Sequence, residues 1–172
     1  MESTGDEHAA QTGRPVAARS CQVDAPPTRA LLAALECPRH VWIDRSERIV
    51  AGGTAATITA TGSDRFRHVQ QEASALLSNA AVETDCPARP RLYGGFAFTD
   101  THTDPGEDRP WAGYPGAQFV LPAVQVAETD TGAWLTTAAT GPDASQRAEA
   151  RLSEWRDRLL DLPPVESTGP PG

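Results

Sequence analysis

The sequence contains no lysine, and all 15 of its basic residues are arginines. The P-loop pattern for phosphate binding includes a lysine, so that class of nucleotide site is excluded. The pairs Gly52-Gly53 and Gly94-Gly95 do not match the G-x-G-x-x-G pattern of dinucleotide sites either. Both pairs lie in or beside predicted strands, where glycine marks a bulge or the close approach of another backbone.

Basic charge is scarce as a whole, because 23 acidic residues give the chain a net charge of −8. Nucleic acids and anionic membrane surfaces both attract basic faces, so we expect neither as a partner. An acidic excess without lysine is typical of salt-loving microbes, in which surface carboxylates keep a protein solvated. We therefore expect a halophilic archaeon as the source, with codon bias as the alternative explanation.

Closely spaced cysteines and long apolar runs are also lacking. Cys21, Cys37 and Cys86 form no C-x-x-C pair, which argues against a zinc site and indicates thiols in a reducing compartment. The stretch from Met1 to Gly13 is polar, unlike a signal peptide. No apolar run approaches the roughly 20 residues that span a bilayer. We expect a cytoplasmic protein without a membrane partner.

The hydrophobic pattern predicts one α+β domain with a mostly antiparallel sheet and about three helices. A disordered tail at 1–14 and a Pro/Gly linker at 161–172 are expected to flank it. Strands are predicted at 15–23, 41–43, 48–50, 54–61, 91–99, 119–128 and 133–138. The three between 41 and 61 read as a meander, and Pro122 favours an edge or a bulge in its strand.

The first predicted helix is capped by Asp24, has Pro26 and Pro27 in its first turn, and ends before Pro38. The second opens at Gly62 and has an apolar stripe formed by Phe66, Val69, Ala73, Leu76 and Leu77. The third starts at Asp143, where Gln146 completes a D-x-x-Q variant of the capping box. Its stripe consists of Ala148, Leu152, Trp155 and Leu159.

Residues that carry chemistry are present but form no recognisable catalytic set. The histidines are scattered and are interpreted as surface or packing residues: His8, His40, His68 and His102. The tryptophans are interpreted as core or interface anchors rather than a ligand cage: Trp42, Trp111, Trp134 and Trp155. An acidic loop lacks the spacing of a calcium motif and is interpreted as solvated: Asp100, His102, Asp104, Glu107 and Asp108. No nucleophile turn occurs, so no catalytic, cofactor-binding or metal-ligating residue is assigned.

One run of motifs resembles a known family. The segment from Arg91 to Phe98 (RLYGGFAF) precedes Trp111, Tyr114-Pro115 and the segment from Phe119 to Pro122 (FVLP). This order resembles the N-terminal region of isochorismate synthases, in which a G-G-F-x-F strand precedes a W-x-x-[FY]-P loop and an F-x-L-P strand. Earlier positions fit the same family: Arg19-Ser20, Val41-Trp42, Glu47-Arg48, Gly52-Gly53 and Asp64-Arg65-Phe66. The structural motif residues are Gly94, Gly95, Phe96, Phe98, Trp111, Phe119, Leu121 and Pro122.

The resemblance, which runs from about residue 15 to residue 160, implies the N-terminal half of an anthranilate-synthase-component-I-like layered fold. Isochorismate synthases convert chorismate to isochorismate for menaquinone or siderophores. In them a lysine activates water, a glutamate protonates the leaving hydroxyl, and Mg²⁺ held by glutamates binds a substrate carboxylate. These residues lie in a C-terminal region that begins with a K-V-V-L-A-R-like strand. This sequence has no such strand, so none of them is carried over.

We therefore expect 15–160 to be a scaffold domain that is inactive alone, binds no cofactor itself, and is completed by a C-terminal chorismate-binding region or a separate chain. An orphan half should have low stability and expose an apolar face. Gly94 and Gly95 are expected to admit a second layer, and Phe96 and Phe98 to enter one core. Three alternatives stay open: a stand-alone binding or regulatory module, the equivalent part of an anthranilate or aminodeoxychorismate synthase, and an inactive remnant.

Overall fold

The computed structural model describes residues 16–78, 89–99 and 113–162. In chain order the elements are β1 (Val16–Val23), α1 (Thr28–Ala34), β2 (Arg39–Ile43), β3 (Glu47–Gly52), β4 (Ala56–Ala60), α2 (Arg65–Ser78), β5 (Tyr93–Phe96), β6 (Ala117–Leu121), β7 (Val124–Thr129), β8 (Gly132–Thr140) and α3 (Ala144–Leu160). All strand pairs are antiparallel, which confirms the α+β class with three helices. The expectations for 1–14, Cys86, Trp111, the acidic loop and 163–172 lie outside the described residues.

The strands form two sheets. Sheet A has the order β1-β8-β7-β3-β2, and sheet B has the order β4-β6-β5. The strand expected at 119–128 is two strands, β6 in sheet B and β7 in sheet A, with Pro122 between them. Because proline has no N–H to donate to a ladder, the chain leaves one sheet there and enters the other. The expected meander is also wrong, since β2 and β3 pair but β4 joins sheet B.

The two sheets are stacked between helices. One face of sheet A packs against α1 and α3 through a core that includes Leu31, Val50, Leu135 and Trp155. Its other face meets sheet B, and a cluster around Leu121 joins them. The outer face of sheet B carries α2. None of the helices in the described residues has the length and apolarity to cross a membrane.

Two expected helix caps are wrong. Helix α1 begins at Thr28, with Pro27 rather than Asp24 at its N-cap. At α3, Asp143 makes no side-chain capping hydrogen bond because its φ of 57° and ψ of 20° are left-handed, whereas a cap residue is extended. The stripe on α3 does pack as expected, since Ala148, Leu152 and Trp155 are buried.

Candidate functional site

A groove of about 770 Å³ opens between the two sheets. Pro38 and His40 line it on the side of β2, and Tyr93, Gly95, Gln118 and Val120 line it on the side of sheet B. Because β2 is an edge of sheet A and β5 is an edge of sheet B, the groove lies along the side on which the sandwich is open.

Two uncharged polar side chains, His40 and Tyr93, line the inner part of the groove. The rings of His40 and Tyr93 stack with centroids 5.0 Å apart and planes 19° apart. The Tyr93 hydroxyl donates to Oε1 of Gln125 at 3.2 Å, and Nε2 of Gln125 donates to the Arg89 carbonyl at 3.2 Å. Burial raises the pKa of Tyr93 to about 12 and lowers the pKa of His40. Both side chains are therefore neutral at neutral pH.

The His40 side chain is held by packing. Its ring stacks on Tyr93, and its Nε2 atom is buried without a hydrogen-bond partner in the described part of the chain. A base must reach the proton that it removes, and the buried Nε2 atom cannot reach a molecule in the groove. These contacts agree with the interpretation of His40 as a packing residue.

A bidentate ion pair ties the two sheets together beside the groove. Arg91, which leads into β5, donates from Nη1 and Nη2 to the two carboxylate oxygens of Glu47 on β3, at 2.5 and 2.7 Å. The hydrogen bond to Glu47 raises the pKa of Arg91. This ion pair could not be predicted from the sequence, because no motif spacing links positions that far apart.

The glycine motif is divided between two roles. A Cβ atom on Gly94 would collide with the Gln118 carbonyl oxygen and lie 2.6 Å from Cα of Phe119, whereas one on Gly95 would meet nothing within 4 Å. The missing side chain of Gly94 therefore lets β6 approach within the same sheet. The expectation that it admits a second layer is wrong. Gly95 leaves space in the groove wall.

The two phenylalanines of the G-G-F-x-F motif also lie in different surroundings. Phe96 packs against Phe66 and Phe119, at centroid distances of 4.4 and 5.0 Å. Phe98 is fully exposed, so the expectation that both phenylalanines enter one core is wrong. The reason is that β5 ends at Phe96, and strand alternation does not continue beyond it. Leu121 is buried where the sheets meet.

Arg65 connects two of the motifs that carry the family resemblance. It is only 6% exposed, and it donates to the carbonyls of Gly62 at 3.0 Å and Ala97 at 3.3 Å. Its guanidinium carbon also lies 4.6 Å from the centroid of the Phe66 ring. The segment at 64–66 therefore holds the end of the RLYGGFAF segment in place. The RLYGGFAF segment lines the groove, and the segment at 64–66 supports it from behind.

The described residues do not fit a Mg²⁺ site. They contain no group of three or more histidine, cysteine, aspartate or glutamate side chains that could hold a metal ion. Among the residues that the structure describes, no carboxylate lines the groove, and Mg²⁺ prefers carboxylate and other oxygen ligands. No metal-assisted step can be built on these side chains.

Residues 9–168 match the family described as chorismate binding enzyme, and the chain belongs to that family. The resemblance noted in the sequence is therefore confirmed at the level of the family. Among solved structures, 16 chains match. One is the subject of a study of MenF, the menaquinone-specific isochorismate synthase from Escherichia coli, with a TM-score of 0.51 and 17% sequence identity.

The match to MenF covers 89% of this chain but only 31% of that chain. At this level of identity the likeness shows the fold alone. This chain spans about a third of the length of the protein that it matches. No curated protein sequence matches it.

Proposed function

We propose that this chain is the N-terminal part of an isochorismate synthase and provides the scaffold on which a chorismate-binding region completes the enzyme. The observation that carries the proposal is the open side of the sandwich. Two strands that no other described strand pairs on their outer side, β2 and β5, flank an apolar groove. The chain belongs to a family whose matched structure is about three times as long.

In this proposal the reacting groups come from the other region. The chain has no lysine to activate water, and the His40 and Tyr93 side chains in its groove are neutral. The other region would supply the lysine, the glutamate acid and the Mg²⁺ ligands. Mg²⁺ bound there would orient a substrate carboxylate. The residues of this chain would fix the sheets against which that region packs.

Turnover of chorismate tests the proposal. The purified 172-residue chain with chorismate and Mg²⁺ should yield no isochorismate on chromatography. The chorismate-binding region encoded in the same genome should give isochorismate when both chains are present, and much less when it is assayed alone. Isochorismate from the 172-residue chain alone would refute the proposal. Anthranilate or aminodeoxychorismate as the product would assign the chain to those synthases.

A second candidate is a stand-alone small-molecule-binding or regulatory module. The groove favours it, because about 770 Å³ with a mostly apolar lining lies within the roughly 300–1,000 Å³ of small-molecule pockets. Thermal shifts with tryptophan, chorismate and isochorismate separate the two candidates. A saturable rise in Tm with one of these compounds would favour the module, and the scaffold proposal predicts no such rise for the chain alone.

A further inference from the structure

No strand of the described residues pairs with the outer edge of β2, and the backbone groups on that edge can be assigned to residues. Asp44 donates its N–H to the Glu47 carbonyl at 3.0 Å at the β2–β3 turn. Hydrogen-bonded and non-hydrogen-bonded pairs alternate along an antiparallel ladder. With the register Trp42↔Ile49 and Val41↔Val50, Trp42 bonds to β3, and the N–H and C=O groups of Val41 and Ile43 face away from the sheet.

The two edge strands of sheet A differ in how far their side chains are buried. On β1, Val16, Ala17 and Ala18 are buried, and α3 packs over Ala17 on the face of the sheet through Ala144 and Ala148. No described element lies outside either β1 or β2. The fold itself therefore covers the side chains of β1 and leaves those of β2 for another surface to cover.

The side chains of β2 also suit a covered strand. Val41, Trp42 and Ile43 are 45%, 54% and 64% exposed, so both faces of the strand present apolar surface. Natural proteins blunt free edges with short strands, charged side chains, proline or bulges. β2 is five residues long, and its charged residue and neighbouring proline, Arg39 and Pro38, stand at its start. The stretch from Val41 to Ile43, which carries the free edge groups, has no charge, proline or bulge.

We infer that the chorismate-binding region docks by adding a β-strand to the outer edge of β2, with alternate side chains of that strand entering the groove. The inference rests on the proposed function and names the contact that holds the partner. Trp42 and His40 lie on one face of β2 because side chains alternate, and His40 lines the groove. Every second side chain of a strand added along β2 therefore points into the groove.

A second copy of this chain fits the edge less well. Each copy has a net charge of −8, so two copies repel each other. In the proposed scaffold role the partner supplies the part of the fold that this chain, which covers 31% of the MenF chain, does not match. That part is the better source of the strand.

Amide exchange detected by NMR tests the contact residue by residue. The probe is the chorismate-binding region encoded in the same genome, expressed as a separate chain and added to the ¹⁵N-labelled 172-residue chain. Exchange at Val41 and Ile43 should slow by at least about tenfold. The Trp42 amide, which already bonds to β3, is the internal control and should change much less.

A matched pair of variants tests the same edge by affinity. Ile43→Glu places a carboxylate on the edge and should weaken binding of the probe more than about tenfold. Leu160→Glu makes the same change at an exposed leucine of α3, 83% exposed, and should bind like the unmodified chain. Circular dichroism of both variants checks that they fold.

The outcomes separate this inference from the proposed function. An active complex in which Val41 and Ile43 still exchange fast, or in which Ile43→Glu binds normally, would overturn strand addition and leave the proposed function standing. Neither complex nor isochorismate with the unmodified chains would overturn both. Self-association of this chain that protects Val41 and Ile43 would assign the edge to a second copy and overturn the inference.

Discussion

Gly94 and Gly95 are sequence neighbours with opposite tolerance for a side chain. Gly94→Ala should lower the free energy of unfolding by about 3 kcal/mol or more, because its Cβ would lie 2.6 Å from Cα of Phe119 and force β5 away from β6. Gly95→Ala is the matched control and should change it by less than about 1 kcal/mol, since nothing lies within 4 Å. Urea denaturation of the two variants gives both values. Equal destabilisation would contradict the assignment of the close approach to Gly94.

Tyr93 contributes through its hydroxyl group. Tyr93→Phe should cost about 1–2 kcal/mol at pH 7, because Oε1 of Gln125, a residue only 3% exposed, loses its donor. Chemical denaturation of the two proteins measures the cost. A cost near zero would mean that the hydrogen bond makes no net contribution.

The same substitution has a pH signature. Burial raises the pKa of Tyr93 to about 12, above the value of about 10 expected in an unfolded chain. The folded state therefore keeps a proton that the unfolded state loses, and this stabilisation is lost as the pH rises from about 10 to about 12. The unmodified protein should lose more stability than Tyr93→Phe over that interval. Parallel pH profiles would contradict the assignment.

At the scale of elements, α3 is anchored by one face. Leu152 is 7% exposed and packs in the main core, whereas Leu160 in the same helix is 83% exposed. Leu152→Ala should cost about 2–5 kcal/mol through lost burial and the cavity that remains, and Leu160→Ala should stay within about 0.5 kcal/mol. Thermal or urea unfolding checks both. A similar cost at both positions would mean that the end of α3 packs more than its exposure indicates.

Most elements could be predicted from the sequence because their signals are local. The α3 stripe and the β7–β8 hairpin follow from periodicity and turn chemistry alone, and both appear in the structure. The sheet assignment of β6 and β7 could not be predicted, because the apolar run from Phe119 to Glu128 reads as continuous. Pro122 marks a break in that run, but only the pairing partners show that the chain changes sheets there.

The candidate site was less predictable than the elements. The motif glycines and aromatics pointed to the right strands, but the groove also needs Pro38 and His40 from the edge of the other sheet. No spacing rule joins those positions to Tyr93, because the contact depends on how the two sheets stack. Exposure of the β2 side chains likewise depends on strand order, which the sequence leaves undetermined.

At the scale of the whole molecule, the excess of negative charge should make stability depend on salt. With a net charge of −8, self-repulsion opposes the compact state, and added salt shortens the Debye length from about 10 Å at 0.1 M to about 3 Å at 1 M. The Tm should rise by roughly 3–6 °C between these concentrations of NaCl.

Removing surface charge distinguishes this screening effect from a general effect of salt on burial. Glu154 and Asp157 are exposed on α3, and the double variant Glu154→Gln, Asp157→Asn removes two negative charges from the net charge of −8 without touching the core. Its Tm should be higher at low salt and rise less with NaCl, because less repulsion is left to screen. Differential scanning fluorimetry across an NaCl series measures both slopes. Identical slopes would show that salt acts by strengthening apolar burial, and the acidic surface would then not limit the stability of the fold.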